Sequence, residues 1–148
     1  IELKPLFELQ ASVDPPQTID GPLGQRLFIP VTGGSLRGDR ISGVLQAGGA
    51  DFQLIRRDGV AELDVRVTIL TDDEVTIQLK GHGLRHTSPE VFARIMSGVE
   101  VDPREYYFRE AIVFEAPAGK YDWLNKIIAI AKGGRLKSRV FLDVYEVL

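Results

Sequence analysis

The sequence predicts an all-β, mainly antiparallel chain closed into a barrel of about nine strands, with one short helix. Three observations point there. Apolar and polar residues alternate with period two through most of the chain, the signature of strands. Gly-Gly, Asp-Gly, Asp-Asp and Pro-Pro pairs break that alternation at regular spacing. Only one segment carries helix punctuation. The 148 residues suit a single domain over 1–148.

Taken in order, Phe7, Leu9, Ala11 and Val13 alternate with Glu8, Gln10, Ser12 and Asp14. Pro15-Pro16 ends that strand, because proline has no N–H to give the ladder. Leu27, Ile29 and Val31 form a second strand. Gly33-Gly34 and Gly38 punctuate the run to strand 41–45, and Gly48-Gly49 turns into strand 51–55. Asp58-Gly59 is a hairpin signal. Leu63, Val65, Val67 and Ile69 then alternate with Glu62, Asp64, Arg66 and Thr68, and Val75, Ile77 and Leu79 return after Asp72-Asp73. Thr87 or Ser88 caps the helix, Pro89 and Glu90 suit its first turn, Val91, Phe92 and Ile95 make its apolar stripe, and Gly98 ends it. Three further strands occupy 106–115, 123–131 and 139–147, with Gly133-Gly134 dividing the last two. A barrel is favoured over a sandwich because closure removes edges and sharp curvature uses glycine.

Composition excludes several classes. A net charge of −3, without a basic run, argues against nucleic acid. The lack of cysteine excludes disulfides, thiolate chemistry and Cys-ligated zinc. No run approaches the roughly 18 apolar residues of a membrane helix. No leader is visible, although the chain begins at Ile1 and one could have been removed; a cytoplasmic location is expected. The nucleophile elbow, the P-loop lysine pattern and a dinucleotide fingerprint are missing. The glycine-rich 33–38 stretch opens no helix, so it makes no phosphate cradle. His82 and His86 are the two histidines. On a strand their Cα atoms would lie about 13 Å apart, too far for one metal. No metal or cofactor is expected, and His86 is left as an acid, base or ligand contact.

Candidate site residues come from polar side chains sharing a strand face: Asp51 with Gln53, Asp64 with Arg66, Tyr107 with Arg109, and Trp123 with Asn125. Turned inward, they would give apolar walls with a few convergent polar groups, the makeup of small-ligand sites. Asp64 or Asp51 would then move a proton and Arg109 would hold an anion. Gln53, Arg66, Tyr107, Trp123, Asn125 and His86 would orient the ligand. Turned outward, the same faces are ordinary solvated surface.

The strings Pro30-Val31-Thr32-Gly33-Gly34, Gly48-Gly49-Ala50-Asp51-Phe52-Gln53, Leu63-Asp64-Val65-Arg66, Thr71-Asp72-Asp73, Tyr106-Tyr107-Phe108-Arg109, Trp123-Leu124-Asn125 and Asp143-Val144-Tyr145-Glu146-Val147 are similar, in order and spacing, to a known family. Over nearly its whole length the chain resembles the largely bacterial domain of unknown function 3237. The resemblance implies a β-barrel, similar in shape to lipocalins and allene oxide cyclase, and a homo-oligomer. It supplies no general activity. Two departures stand out: Glu74 occupies the glycine position after Thr71-Asp72-Asp73, and Glu110-Ala111-Ile112 follows Arg109 where threonine is expected. The expected function is binding of a small, partly apolar carbonyl or phenolic molecule, with cofactor-independent isomerase, cyclase or lyase chemistry. A carrier or sensor without chemistry, and a structural oligomerisation module, are the alternatives.

Overall fold

The computed structural model describes residues 1–148. Ten strands form one sheet: β1 (Leu3–Val13), β2 (Gln17–Gly21), β3 (Gly24–Arg37), β4 (Ser42–Leu45), β5 (Gly49–Ile55), β6 (Ala61–Thr71), β7 (Thr76–His86), β8 (Tyr107–Glu115), β9 (Ala129–Arg135) and β10 (Arg139–Val147). All pairings are antiparallel, in the ring β1-β10-β9-β8-β7-β6, then β4 and β5 together, then β3. β1 closes the ring by pairing with both β10 and β3. The barrel therefore has eight staves, one of them broken into β4 and β5. β2 lies outside the ring as a hairpin arm on β3.

The expected all-β barrel with one short helix is what forms, with local differences. Gly33-Gly34 does not end a strand. It lies inside the long β3, where the strand passes from β5 to β4 on one side and approaches β1 on the other. A Cβ on Gly34 would sit 2.1 Å from the Gln10 carbonyl oxygen, and its φ is +151°. Gly133-Gly134 likewise lies within β9, and the turn to β10 follows it. Residues 123–126 form a 3-10 turn (Asp122–Lys126) instead of a strand.

Period-two patterning decides the interior. Ala61, Leu63, Val67 and Ile69 of β6 are buried, as are Ile77 and Leu79 of β7 and Phe108, Ile112 and Phe114 of β8. One end of the barrel is plugged by the Asp122–Lys126 turn, whose Leu124 is fully buried. Tyr121 O–H donates to Asp73 Oδ1 (2.6 Å), tying this plug to the β6–β7 turn. Over the other end lies helix α1 (Pro89–Met96). Ser88 caps it by accepting from the Val91 N–H (3.1 Å), and Ile95 is its buried anchor.

Candidate functional site

Polar groups enter the interior where a charged residue occupies the apolar phase of its strand. Arg85 continues the inward series Ile77, Leu79, Gly81, Gly83 on β7. Glu110 sits between Phe108 and Ile112 on β8, and Arg135 follows Ala129, Ala131 and Gly133 on β9. Asp51 and Gln53 face inward from β5. These five line an internal cavity of about 50 Å³, whose other walls are aliphatic side chains of β1, β3, β4, β6, β7 and β10 and the ring of Phe108.

The glycines of β7 exist beside this cavity for a packing reason. A Cβ on Gly81 would come within 2.9 Å of Glu110 Oε2, and one on Gly83 within 2.6 Å of Glu110 Cγ. Their missing side chains provide the space for the Glu110 carboxyl. Gly133 does the same for the Phe108 ring, 2.4 Å from where its Cβ would be.

A hydrogen-bonded relay crosses the chamber. The β5–β6 ladder parts at Phe52 and Gln53, and Asp51 Oδ1 accepts the Asp64 backbone N–H there (3.1 Å). Gln53 Nε2 donates to Asp51 Oδ2 (2.7 Å), and Arg85 Nη2 donates to Gln53 Oε1 (3.3 Å). Opposite, the Arg135 backbone N–H donates to the Tyr106 hydroxyl (2.8 Å). Glu110 Oε2 and Arg135 Nε are buried with no hydrogen-bond partner. Native interiors leave few such atoms; the third here, Asp64 Oδ1, lies on the outer face beside Arg66 and His82.

Burial sets the electrostatics. Glu110, only 5% exposed, is pushed up to about 8, by desolvation first and by the neighbouring Asp51 charge second, with Arg85 opposing. Desolvation also raises Asp51, while the Gln53 and Asp64 hydrogen bonds and the two guanidinium groups hold it back. Desolvation lowers Arg85 and Arg135, against the pull of Asp51. Both arginines stay charged near neutrality.

Arg85 also borders an open cleft of about 910 Å³ at the helix-covered end of the barrel. His86, Phe92, Glu105, Tyr106 and Tyr107 line that cleft. The Arg85 guanidinium lies 5.8 Å from the Phe108 ring centroid and 6.0 Å from that of Phe92. It thus stands between the cleft and the inner chamber.

The sequence-expected residues divide three ways. Asp51 and Gln53 reach the chamber. His86 and Tyr107 line the cleft, their rings stacked at 4.9 Å. Asp64, Arg66 and Arg109 point outward, which corrects the inward orientation expected of them. They occupy the polar phase of β6 and β8, whose apolar phase fills the barrel. Asp64 meets Arg66 (3.9 Å) and His82 (4.0 Å) on the outer surface. Arg109 donates to the Phe108 carbonyl (2.9 Å) and lies over Tyr107. Trp123 and Asn125 belong to the plug at the opposite end, a second correction. Asn125 accepts from the Ala116 N–H (2.8 Å) and donates to the Ala116 carbonyl (2.9 Å), and Arg40 stacks over Trp123. Arg85, Glu110, Arg135 and Tyr106 were not anticipated. The available signal was charge in an apolar phase, not polar residues sharing a face.

No group of three or more His, Cys, Asp or Glu side chains is placed to hold a metal ion. No helix is long and apolar enough to cross a membrane.

A family model described as "Protein of unknown function (DUF3237)" matches residues 1–147. The chain belongs to the DUF3237 family. Among DUF3237 relatives, a UPF0311 protein of Clostridium acetobutylicum is 35% identical over 144 residues, covering 96% of this chain and 91% of the relative. The crystal structure of a conserved protein of unknown function from Rhodopseudomonas palustris superposes with a TM-score of 0.93 at 32% identity, covering 99% and 97% of the two chains. A crystal structure described as an enzyme from Penicillium herquei matches with a TM-score of 0.74 at 20% identity, covering 99% and 94%. At that identity the last likeness concerns the fold alone.

Proposed function

We propose that this DUF3237 barrel binds a small, partly apolar carbonyl or phenolic molecule and moves a proton on it, as a cofactor-independent isomerase, cyclase or lyase. The observation that carries this reading is Glu110: a buried carboxyl raised to about 8, with an unpartnered oxygen, in the lining of an internal cavity that two guanidinium groups also line. A group ionising near working pH both gives and takes protons efficiently. The inner chamber accommodates only a few heavy atoms, whereas the cleft is of the size that holds a small ligand's body. The polar end therefore goes inward past Arg85, and the apolar body rests against Phe92, Tyr106 and Tyr107.

The chemistry balances with this chain's groups alone. The Glu110 carboxylate takes a proton from the carbon beside a ligand carbonyl, and the electron pair moves onto the carbonyl oxygen. Arg85 and Arg135 stabilise that oxygen in a water-poor space, where such contacts are strongest. Glu110 returns the same proton to a different carbon, which isomerises the ligand. For ring closure, protonated Glu110 would give its proton to one carbon of a ligand double bond, a ligand hydroxyl oxygen would bond to the other carbon, and that hydroxyl's proton would return to the Glu110 carboxylate.

The enzyme description of the Penicillium herquei fold relative is compatible with this reading. A cytoplasmic homo-oligomer is part of it; exposed apolar side chains on the outer strand faces, such as Phe28, Phe52 and Val113, support the assembly.

The test is a panel of enolisable ketones and phenols, screened for binding by thermal shift and for turnover by mass spectrometry. The expected result is conversion that falls by a factor of about 10² to 10⁴ in Glu110→Gln. Tight binding with every ligand recovered unchanged would make the protein a carrier. Turnover untouched by Glu110→Gln would remove the assignment.

A further inference from the structure

The chamber's charge balance constrains the charge of the ligand. Every charged group facing the cavity comes from four strands: Asp51 on β5, Arg85 on β7, Glu110 on β8 and Arg135 on β9. β1, β3, β4, β6 and β10 contribute only aliphatic walls. The remaining titratable neighbour is Tyr106, whose hydroxyl already accepts from the Arg135 N–H.

None of these four charges takes part in any of the molecule's ion pairs at 4.0 Å or less. Opposite charges buried together ordinarily pair, because an uncompensated buried ion is costly. Here they surround a small volume without touching across it. Asp51 has both carboxylate oxygens engaged, by Gln53 and the Asp64 N–H. The guanidinium groups are far less satisfied. Each has five N–H donors. Arg85 uses one, at 3.3 Å to Gln53, and Arg135 uses one, at 3.4 Å to the Lys137 carbonyl. Arg135 Nε has no partner, and neither does Glu110 Oε2 on the neighbouring strand.

With Glu110 protonated, two cations face one anion, a surplus of one positive charge. Hydrogen-bond supply and charge thus point the same way: excess donors, excess positive charge, and room for a group of a few atoms.

We infer that the chamber is a monoanion site: the ligand carries one oxyanion, a carboxylate or the enolate or phenolate of an acidic carbonyl compound, which sits between Arg85 and Arg135 and accepts the Glu110 O–H. This inference rests on the proposed ligand site and specifies its substrate class. An enolate ligand enters the proton exchange at its second half, where Glu110 gives its proton to carbon.

Benzoate tests it, with its neutral isostere benzamide as control, by isothermal titration calorimetry across pH 6 to 10 on the full chain. Benzoate is expected to bind at least tenfold more tightly than benzamide at pH 6.5. Its affinity should fall about tenfold per unit once pH exceeds about 8, the range in which burial and Asp51 place Glu110 ionisation. Glu110→Gln should keep benzoate binding and lose that pH dependence. Arg135→Gln should reduce the benzoate preference, and Arg135→Lys should restore most of it. Equal affinity for benzoate and benzamide overturns the monoanion inference and leaves the ligand site standing. Absence of binding by both overturns the inference and the ligand-site reading together.

Discussion

Glu110 carries the account at the scale of single residues, and its burial has a thermodynamic consequence. A carboxyl raised from 4.5 to about 8 on folding holds its proton more tightly in the native than in the unfolded state. Between those values the native state binds the extra proton, so stability falls as pH rises through the window, by roughly 1 kcal/mol per unit. Below 4.5 both states are protonated and the slope from this group vanishes. Chemical denaturation of wild type and Glu110→Gln at pH 5, 6, 7 and 8 checks this: the variant's midpoint should lack that downward component. The outward residues make the opposite prediction. Asp64→Asn and Arg109→Gln remove side chains that do not reach the chamber, so ligand affinity should change less than twofold while Arg85→Gln abolishes it. Exposed pairs such as Asp64 with Arg66, at 37% and 59% side-chain exposure, contribute little to stability.

At the scale of elements, glycine placement explains how the strands admit these groups. Gly83→Ala would set a Cβ 2.2 Å from the Arg109 carbonyl oxygen as well as against Glu110 Cγ, so backbone must shift. We expect a loss of about 1–3 kcal/mol in urea unfolding, together with weaker ligand binding. Asn125→Ala, which unties the plug from Ala116, should cost about 1–2 kcal/mol and leave binding unchanged, because the plug lies at the far end. The turn between β6 and β7 offers a gain instead. Glu74 has φ +65°, in the left-handed region that disfavours side chains, at the position where the family resemblance has glycine. Glu74→Gly should stabilise by about 1 kcal/mol in the same assay. Element phases were largely legible in the sequence. Alternation in β6 and β7 located the strands and their two faces without saying which face turns inward, and the Ser88 cap with Pro89 located the helix. Glu110 was legible too, since it interrupts the apolar series Tyr106, Phe108, Ile112 and Phe114, whereas Arg85 and Arg135 lie beyond the expected ends of their strands. Polar residues sharing one strand face, such as Asp64 and Arg66, are by contrast what a solvated face looks like. The 123–126 turn was not legible, because Trp123 and Leu124 fit a strand pattern as well as a plug.

The chamber exists only at the scale of the whole molecule. β5, β7, β8 and β9 bring their charged groups together because β1 closes the ring between β10 and β3. That closure was expected from the number of strands and the cost of open edges. The break between β4 and β5 and the outlying β2 arm were not, since local alternation carries no information about which strand lies beside which. The parting of the β5–β6 ladder that turns Asp51 onto the Asp64 N–H is a product of the same long-range geometry. If closure creates the site, the Glu110 carboxyl owes its raised ionisation to the folded barrel and must lose it on unfolding. The direct measurement is a pH titration of carboxyl-labelled glutamate side chains by carbon NMR, with Glu110→Gln to assign the signal, in water and in urea. One glutamate titrating near 8 in the native protein, absent from the variant and returning to about 4.5 in urea, is the expected result. A native Glu110 titrating at the ordinary glutamate value of about 4.5 would mean that its carboxyl meets water, and would contradict the buried, proton-holding chamber.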